Sequence, residues 1–422
     1  MPLSVPYIVL VAKQLEIEEL KRLKTRSHLV GAIGHMVHVL QSERGASSIY
    51  LASSGNRFES TRQGLIRESE SAEQKLRNII EDELRFSSHS NAKIISLLAW
   101  VLLGLDALPE LRERIDGHRL SGGESVAAFS RLIAGLISLI FELADAAVDP
   151  NISRLLVSLF NLVEGKELAG QERAVGALAF ASGRCTEQLQ QRIAHLIDAQ
   201  ERNFRVFLEF VEEPVTTRWH DMEKRSFVEH LRRLRQMLST TTPNTVLDAN
   251  LSDIWFDCCS RRITAMWSIQ CDLVEALQER CVALISEAER ELLDSEGLLR
   301  TLRERPPARA GVIDSFFDPE LPVEQSLSFR STEHEGQHRA HSLIGILQVQ
   351  SLHLANMETE LASAKRALYE RKIIERAKGI LMAHNNFSED EAYKQMRTTS
   401  MDLNRRLVEV AESVLTLATL SR

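Results

Sequence analysis

The sequence predicts an all-α protein, because glycine and proline are sparse, aromatic residues are few, and Leu, Ala, Glu and Arg are abundant. The 422 residues include 19 Gly and 10 Pro, and only 5% are aromatic. The favoured residues are those that lose least on entering a helix. With 44% hydrophobic residues the chain can build two or three separate cores.

Residues 1–24, MPLSVPYIVLVAKQLEIEELKRLK, have neither the basic start nor the small-residue cleavage site of a secretory leader. No run of about twenty apolar residues stands out, so a cytoplasmic chain without a membrane span is expected. The cysteines, Cys185, Cys258, Cys259, Cys271 and Cys281, are odd in number and lack metal-site spacing. Most are expected as buried thiols.

The body carries an internal echo. QSERGASSIYLASSG (Gln41 to Gly55) and GQERAVGALAFASG (Gly170 to Gly183) both set Glu-Arg before small and apolar residues and close on Ala-Ser and Gly, 129 residues apart. Such small-residue helices allow close approach of their backbones. His35 and His38, three apart in the first of them, are expected to pack rather than to ligate.

With its flanks, LVGAIGHMVHVLQSERGASSIYLAS, VEGKELAGQERAVGALAFASG and IWFDCCSRRITAM, the region from about Leu29 to Leu284 resembles the NIT domain, a nitrate- and nitrite-sensing helical domain. The resemblance implies a sensor over residues 1–304, built of paired four-helix bundles, with the anion held between helices by arginines. Arg44 falls on the arginine of the family's E-R-G motif. Nitrate is a planar monoanion, and guanidinium is a planar, permanently charged donor fork that can engage it in its own plane. Gly45 and Ala46 would leave room beside the helix, and Ser47 or Ser48 would add a hydroxyl. For the second arginine, Arg262 is preferred to its neighbour Arg261 because it follows Trp255 by seven residues and shares its face. Arg173, the echo residue, is either ligand-facing or a structural ion pair. For Arg44 too the competing reading is a buried partner of Glu43 or another carboxylate.

Residues 305–342 read as a linker, with Pro306, Pro307, Pro319 and Pro322 in its first part. His334, His338 and His341 would share a helix face, but Gly336 interrupts it and no further ligand completes a shell, so no metal site is expected. A heptad stripe follows: Leu343, Leu347, Gln350, Leu354, Met357, Leu361, Ala364 and Leu368. Residues 343–364 are therefore expected to form a connector helix, either in a homodimeric coiled coil or docked along the sensor.

From Lys365 to Arg422 eleven Lys/Arg face eight Asp/Glu, a net +3, so the preceding residues carry −11 of the chain's −8. Apolar periodicity predicts three helices there, at about Lys365–His384, Glu389–Arg397 and Met401–Leu420, with Ser388 and Glu391 as a capping box and Ser400 as a later cap. The elements Ala367-Leu368-x-x-Arg371, AKGILM (Ala377 to Met382), SEDEA (Ser388 to Ala392) and TTSMDLNRRL (Thr398 to Leu407) closely resemble the ANTAR domain, a three-helix RNA-binding unit of antitermination regulators. The resemblance implies recognition of leader mRNA hairpins, close to RNA polymerase through the nascent transcript.

Candidate phosphate-neutralising residues are Arg371, Arg376, Lys378, Arg397, Arg405 and Arg406. Gly379, Thr398, Thr399 and Asn404 are candidates for close or base-edge contacts. The competing reading is ordinary solvated helix positions. No phosphate loop, dinucleotide fingerprint, zinc-protease helix or nucleophile elbow is present, so nothing points to an enzyme. The sequence is thus read as a nitrate- or nitrite-responsive antiterminator of nitrogen-assimilation genes, with that anion as ligand and no cofactor. The alternative is a helical receptor that signals through protein contacts without RNA.

Overall fold

The structure is a computed structural model and describes residues 5–86, 92–145, 149–242, 245–304, 366, 368–382, 385, 387, 389–403 and 405–420. The first half runs α1 (Val5–Ala52), α2 (Glu59–Phe86), α3 (Ala92–Asp106), α4 (Leu108–Asp116) and α5 (Gly122–Asp145). The second runs α6 (Pro150–Ala181), α7 (Glu187–Phe210), α8 (Glu213–Glu223), α9 (Ser226–Thr240) and α10 (Leu251–Glu304). A helix over 368–382, α11, precedes α12 (Glu389–Asp402) and α13 (Leu407–Leu420). The expected all-α class is observed. Among the described residues no strand forms, only a bridge between Arg184 and Val246.

Local chemistry fixes several starts. The Asp149 carboxylate accepts from the Ile152 amide at 2.9 Å, with Pro150 at the first helical position of α6. Ser121 and Glu124 form a reciprocal capping box at α5, and the Thr186 hydroxyl accepts from Leu189 N at α7.

The internal echo is architectural. α1 ends at Ala52 and α6 at Ala181, while α5 begins at Gly122 and α10 at Leu251. Both spacings equal the 129 residues that separate Arg44 from Arg173. Each half also encloses the same buried fork. Arg112 of α4 donates to Glu43 of α1 at 2.8 and 3.0 Å, and Arg235 of α9 donates to Glu172 of α6 at 2.6 and 2.6 Å. α1 packs on α2, α5 and α10, α6 packs on α7 and α10, and α1 also meets α6. Leu29, Ile33, Met36 and Leu40 of α1 and Leu159, Leu162 and Val163 of α6 belong to this common core.

Two stretches, Ala92–Asp116 and Gly122–Ala144, are after all long and apolar enough to cross a membrane by length and composition alone. Gly122–Ala144 is mostly buried in the protein. Its apolar residues, such as Phe129, Leu136 and Ile140, fill the core. Ala92–Asp116 divides into α3 and α4 at Ala107.

In the C-terminal region Ile373, Ala377, Met396, Val408, Val410 and Ala411 form a small core of their own, whereas Leu368 joins the core of the preceding helices. α12 extends past the expected Arg397 to Asp402, and α13 starts at Leu407 rather than Met401. Leu403, which falls within the helix expected over Met401–Leu420, lies exposed in the intervening turn. Its i, i+4 relation to Leu407 is helical spacing read across a turn. Ser400 does not cap α13: it is inside α12, and its hydroxyl donates to the Arg405 carbonyl at 2.5 Å, bracing that turn. The linker 305–342, its histidines, the stripe 343–364, Ser388 and Asn404 lie outside the described residues.

Removing one partner of a buried fork leaves an uncompensated charge, which typically costs about 3–5 kcal/mol. Glu43→Ala and Glu172→Ala should each lower unfolding stability on that scale in urea titrations. Glu229→Ala, which removes only an exposed pairing with Arg233, should change it by less than about 0.5 kcal/mol.

Candidate anion site and effector docking surface

Where α1 crosses α6 the two echo arginines reach past each other's glycines. A methyl group at Gly45 would come within 2.8 Å of Arg173 Nη2, and one at Gly170 within 2.8 Å of Arg44 Nη2. The room that Gly45 was expected to offer an anion is taken by the Arg173 guanidinium, which makes Gly45 a cradle for an arginine. The small residues of the echo thus let two cations sit between the helices.

Their partners differ. Arg44, 2% exposed, donates both Nη atoms to the Glu167 carboxylate, with Nη2 to Oε2 at 3.1 Å, and donates Nη1 to Ser130 Oγ of α5 at 2.7 Å. Arg173 donates to Ser260 Oγ of α10 at 2.9 Å and to the Gln41 carbonyl at 3.4 Å, and lies over the Phe256 ring at 4.7 Å. Among the described residues no carboxylate lies within ion-pair distance of Arg173. Burial, with Arg44 adding to it, pulls its pKa down to about 10.

Lys166, one residue before Glu167, adds a third buried cation. Its Nζ donates to Gln270 Oε1 at 2.6 Å and lies 4.7 Å from the Trp267 ring centre. Burial lowers its pKa to about 7. His38 stacks flat on Trp267 at 4.2 Å, with His35 on the same ring at 5.7 Å, so both histidines pack as expected. Burial followed by Lys166 lowers His38 to about 3, which keeps it neutral, and its Nδ1 has no hydrogen-bond partner. Gln41 Oε1 is likewise unpaired. The crossing therefore holds two arginines, a titrating lysine and one carboxylate, a surplus of positive charge suited to an anion.

The other predicted ligands lie elsewhere. Ser47 turns away and accepts from Arg62 Nε at 3.2 Å, so Ser130 supplies the hydroxyl beside Arg44. Arg262 is buried on a different face of α10, donating to Gln200 Oε1 at 2.9 Å and meeting Glu223 at 3.4 Å. It lines a cavity of about 780 Å³ between α7, α8, α9 and α10, and shares no partner with Arg44. Arg261 is exposed beside Asp257. Trp255, whose spacing suggested Arg262, instead donates its indole N–H to the Arg173 carbonyl at 3.1 Å. Glu167, Gln41, Lys166 and Ser130 were not anticipated, because acid, amide and hydroxyl residues inside amphipathic helices carry no local signal of the helix they will face.

A second group joins the C-terminal helices to the sensor. Arg371 of α11 donates to Glu164 of α6 at 3.0 Å, and Arg397 of α12 donates to Asp198 of α7 at 2.8 Å. Tyr393 of α12 stands edge-on to His195 at 5.6 Å, and the Arg202 guanidinium lies 4.7 Å over its ring. His195, Asp198 and Arg202 are spaced three and four apart and so form one stripe of α7. Burial raises the Glu164 carboxyl pKa, with Arg371 opposing. Of the remaining candidates, Lys378 meets Glu375 at 3.0 Å, Arg406 meets Glu409 at 3.2 Å, and Thr399 donates to the Gln395 carbonyl. Arg376, Gly379, Thr398 and Arg405 are exposed.

The nitrate and nitrite sensing family, NIT, matches residues 35–278, and the ANTAR domain matches residues 362–415. The chain belongs to the NIT–ANTAR family of nitrate-responsive antitermination regulators. It is 30% identical over 412 residues to the nitrate regulatory protein of Klebsiella oxytoca, covering 97% of this chain and 94% of that one. The structure of the NasR transcription antiterminator superposes with a TM-score of 0.61 at 27% identity, covering 97% of both chains. These families are regulatory sensor and RNA-binding domains, not enzymes.

Lys166 binds fewer protons folded than unfolded between about pH 7 and its ordinary 10.5, so its contribution to stability rises with pH across that window. Lys166→Met should stabilise the NIT–ANTAR chain most at pH 7 and below. Urea titrations at several pH values should show its advantage over wild type shrinking towards pH 10.

Proposed function

We propose that nitrate or nitrite binds at the Arg44–Arg173 crossing and thereby frees the C-terminal domain to engage leader mRNA hairpins. The observation that carries this reading is that Arg371 and Arg397, two side chains suited to RNA phosphates, are paired with the sensor carboxylates Glu164 and Asp198. The Arg397–Asp198 pair is exposed and contributes at most about 1 kcal/mol, and in the part-buried Arg371–Glu164 pair the desolvation of Glu164 offsets much of the attraction. The Tyr393 contacts add a similar amount, and Leu368 adds roughly 1.5–3 kcal/mol by burial. The docked state is therefore held by only a few kcal/mol. A ligand that moves a two-state balance from 1:99 to 99:1 must discriminate by about 5.5 kcal/mol, and displacement of buried charge is one of the few local events of that size.

The division of labour is a sensor over 1–304 and an RNA-binding unit over 365–422, joined by the linker 305–342 and the connector 343–364. Of the arginines weighed as second ligand, Arg173 is favoured over Arg262 because it shares the crossing with Arg44. The bound hairpin would act in the cytoplasm on transcripts of nitrogen-assimilation genes, close to RNA polymerase through the nascent chain, with the protein acting as a homodimer.

Hairpin binding by the full chain should tighten when nitrate is added, as measured by electrophoretic mobility or fluorescence anisotropy. Arg44→Ala should abolish that response, whereas Glu164→Gln with Asp198→Asn should raise nitrate-free binding by about tenfold, the equivalent of about 1.4 kcal/mol. Unchanged nitrate-free binding in the double variant would contradict the docked-state reading. Lys378→Ala with Arg406→Ala should weaken binding with nitrate and flatten its salt dependence, as expected for lost phosphate contacts.

A further inference from the structure

We propose that Glu167 is a built-in competitor for the ligand: its carboxylate fills the Arg44 fork in the docked state, and the entering anion displaces it. The inference rests on the reading of the α1–α6 crossing as the anion site, and adds the residue that sets how tightly that site binds.

The Glu167 carboxylate accepts four hydrogen bonds. Arg44 supplies two, Gln41 Nε2 one at 2.8 Å and Gln171 Nε2 one at 3.1 Å. A carboxylate presents two oxygens on one trigonal carbon, as nitrate and nitrite present two on one nitrogen, so the same guanidinium fork fits either. Both anions carry one negative charge. Exchange therefore leaves the charge beside Arg44 unchanged, whereas a dianion would bring a second buried charge. The displaced carboxylate is left near Arg173, a guanidinium with no carboxylate within ion-pair distance among the described residues and one that already feels the Glu167 charge.

The residue also stands at the junction of the two groups. Glu164, which holds Arg371, lies three residues earlier on α6, about one turn away, and feels the Glu167 charge as a repulsion. Withdrawal of Glu167 from Arg44 thus acts on the turn of α6 that anchors the C-terminal domain. An ordinary structural ion pair would make the site weaker when broken. A competitor makes it stronger.

Calorimetric titration of the full chain with sodium nitrate, using sodium chloride as control, separates these cases. Glu167→Gln keeps the shape and removes the charge, and should bind nitrate about tenfold or more tightly than wild type. Glu167→Asp retracts the carboxylate by one methylene and should fall between them. It also carries the test if Glu167→Gln fails to give the wild-type helical circular dichroism. If wild type binds nitrate and both variants bind it no better, the competitor role is overturned while the anion site stands. If neither wild type nor variants bind nitrate, the anion-site reading falls and this inference with it.

Discussion

Two guanidinium groups crossing between α1 and α6, each resting on the other helix's glycine, set the constraint on which the sensor depends. The approach uses the space that Gly45 and Gly170 leave, since a methyl group at either would stand 2.8 Å from a charged nitrogen and displace it. Burying two like charges is unfavourable unless anions and acceptors surround them. Glu167, Ser130, Ser260 and the Gln41 carbonyl supply that surround incompletely, and the depressed pKa of Arg173 records the shortfall. In the neighbouring forks each guanidinium has at least one carboxylate of its own, Arg112 with Glu43 and Glu70 and Arg235 with Glu172, so among these groups the unmatched positive charge is confined to the crossing.

That confinement gives the crossing leverage. α6 passes through the Arg44–Arg173 crossing at Glu167, and one turn away it carries Glu164, a partner of the C-terminal domain. α7, packed on α6, presents the stripe His195, Asp198 and Arg202 to Tyr393 and Arg397. Strong buried electrostatics at one point and weak, partly solvated contacts at the other are the arrangement in which a small ligand can outweigh a docking surface. The arginines that would meet phosphates are held meanwhile by carboxylates, the nearest protein equivalent.

The all-α class and the two-part repeat were legible in the sequence, the repeat through Glu-Arg pairs at Arg44 and Arg173 whose spacing matches the helix ends. Arg44 was legible through the resemblance, as the arginine of the E-R-G motif, and its pairing with a carboxylate was one of the two readings weighed for it. The identity of its neighbour was not legible. Arg262 shares a helix face with Trp255 by period, yet the face that α10 turns to α1 and α6 depends on packing across three helices, which no local pattern encodes. Leu403 misled for a related reason: apolar spacing continues through a turn that the backbone bonds from Leu403 N to Thr399 O and from Arg405 N to Ser400 O close. The docking contacts were invisible altogether, since a single arginine such as Arg397 on a charged helix looks the same whether it faces water or Asp198.

On the function proposed above, an anion at the α1–α6 crossing loosens the hold on the C-terminal helices. Hydrogen–deuterium exchange of the full chain with and without nitrate tests it most directly. Nitrate should slow exchange in the α1 and α6 segments around Arg44 and Arg173 and speed it in α12 around Tyr393 and Arg397. Protection at the crossing with no change, or with added protection, in α12 would contradict it.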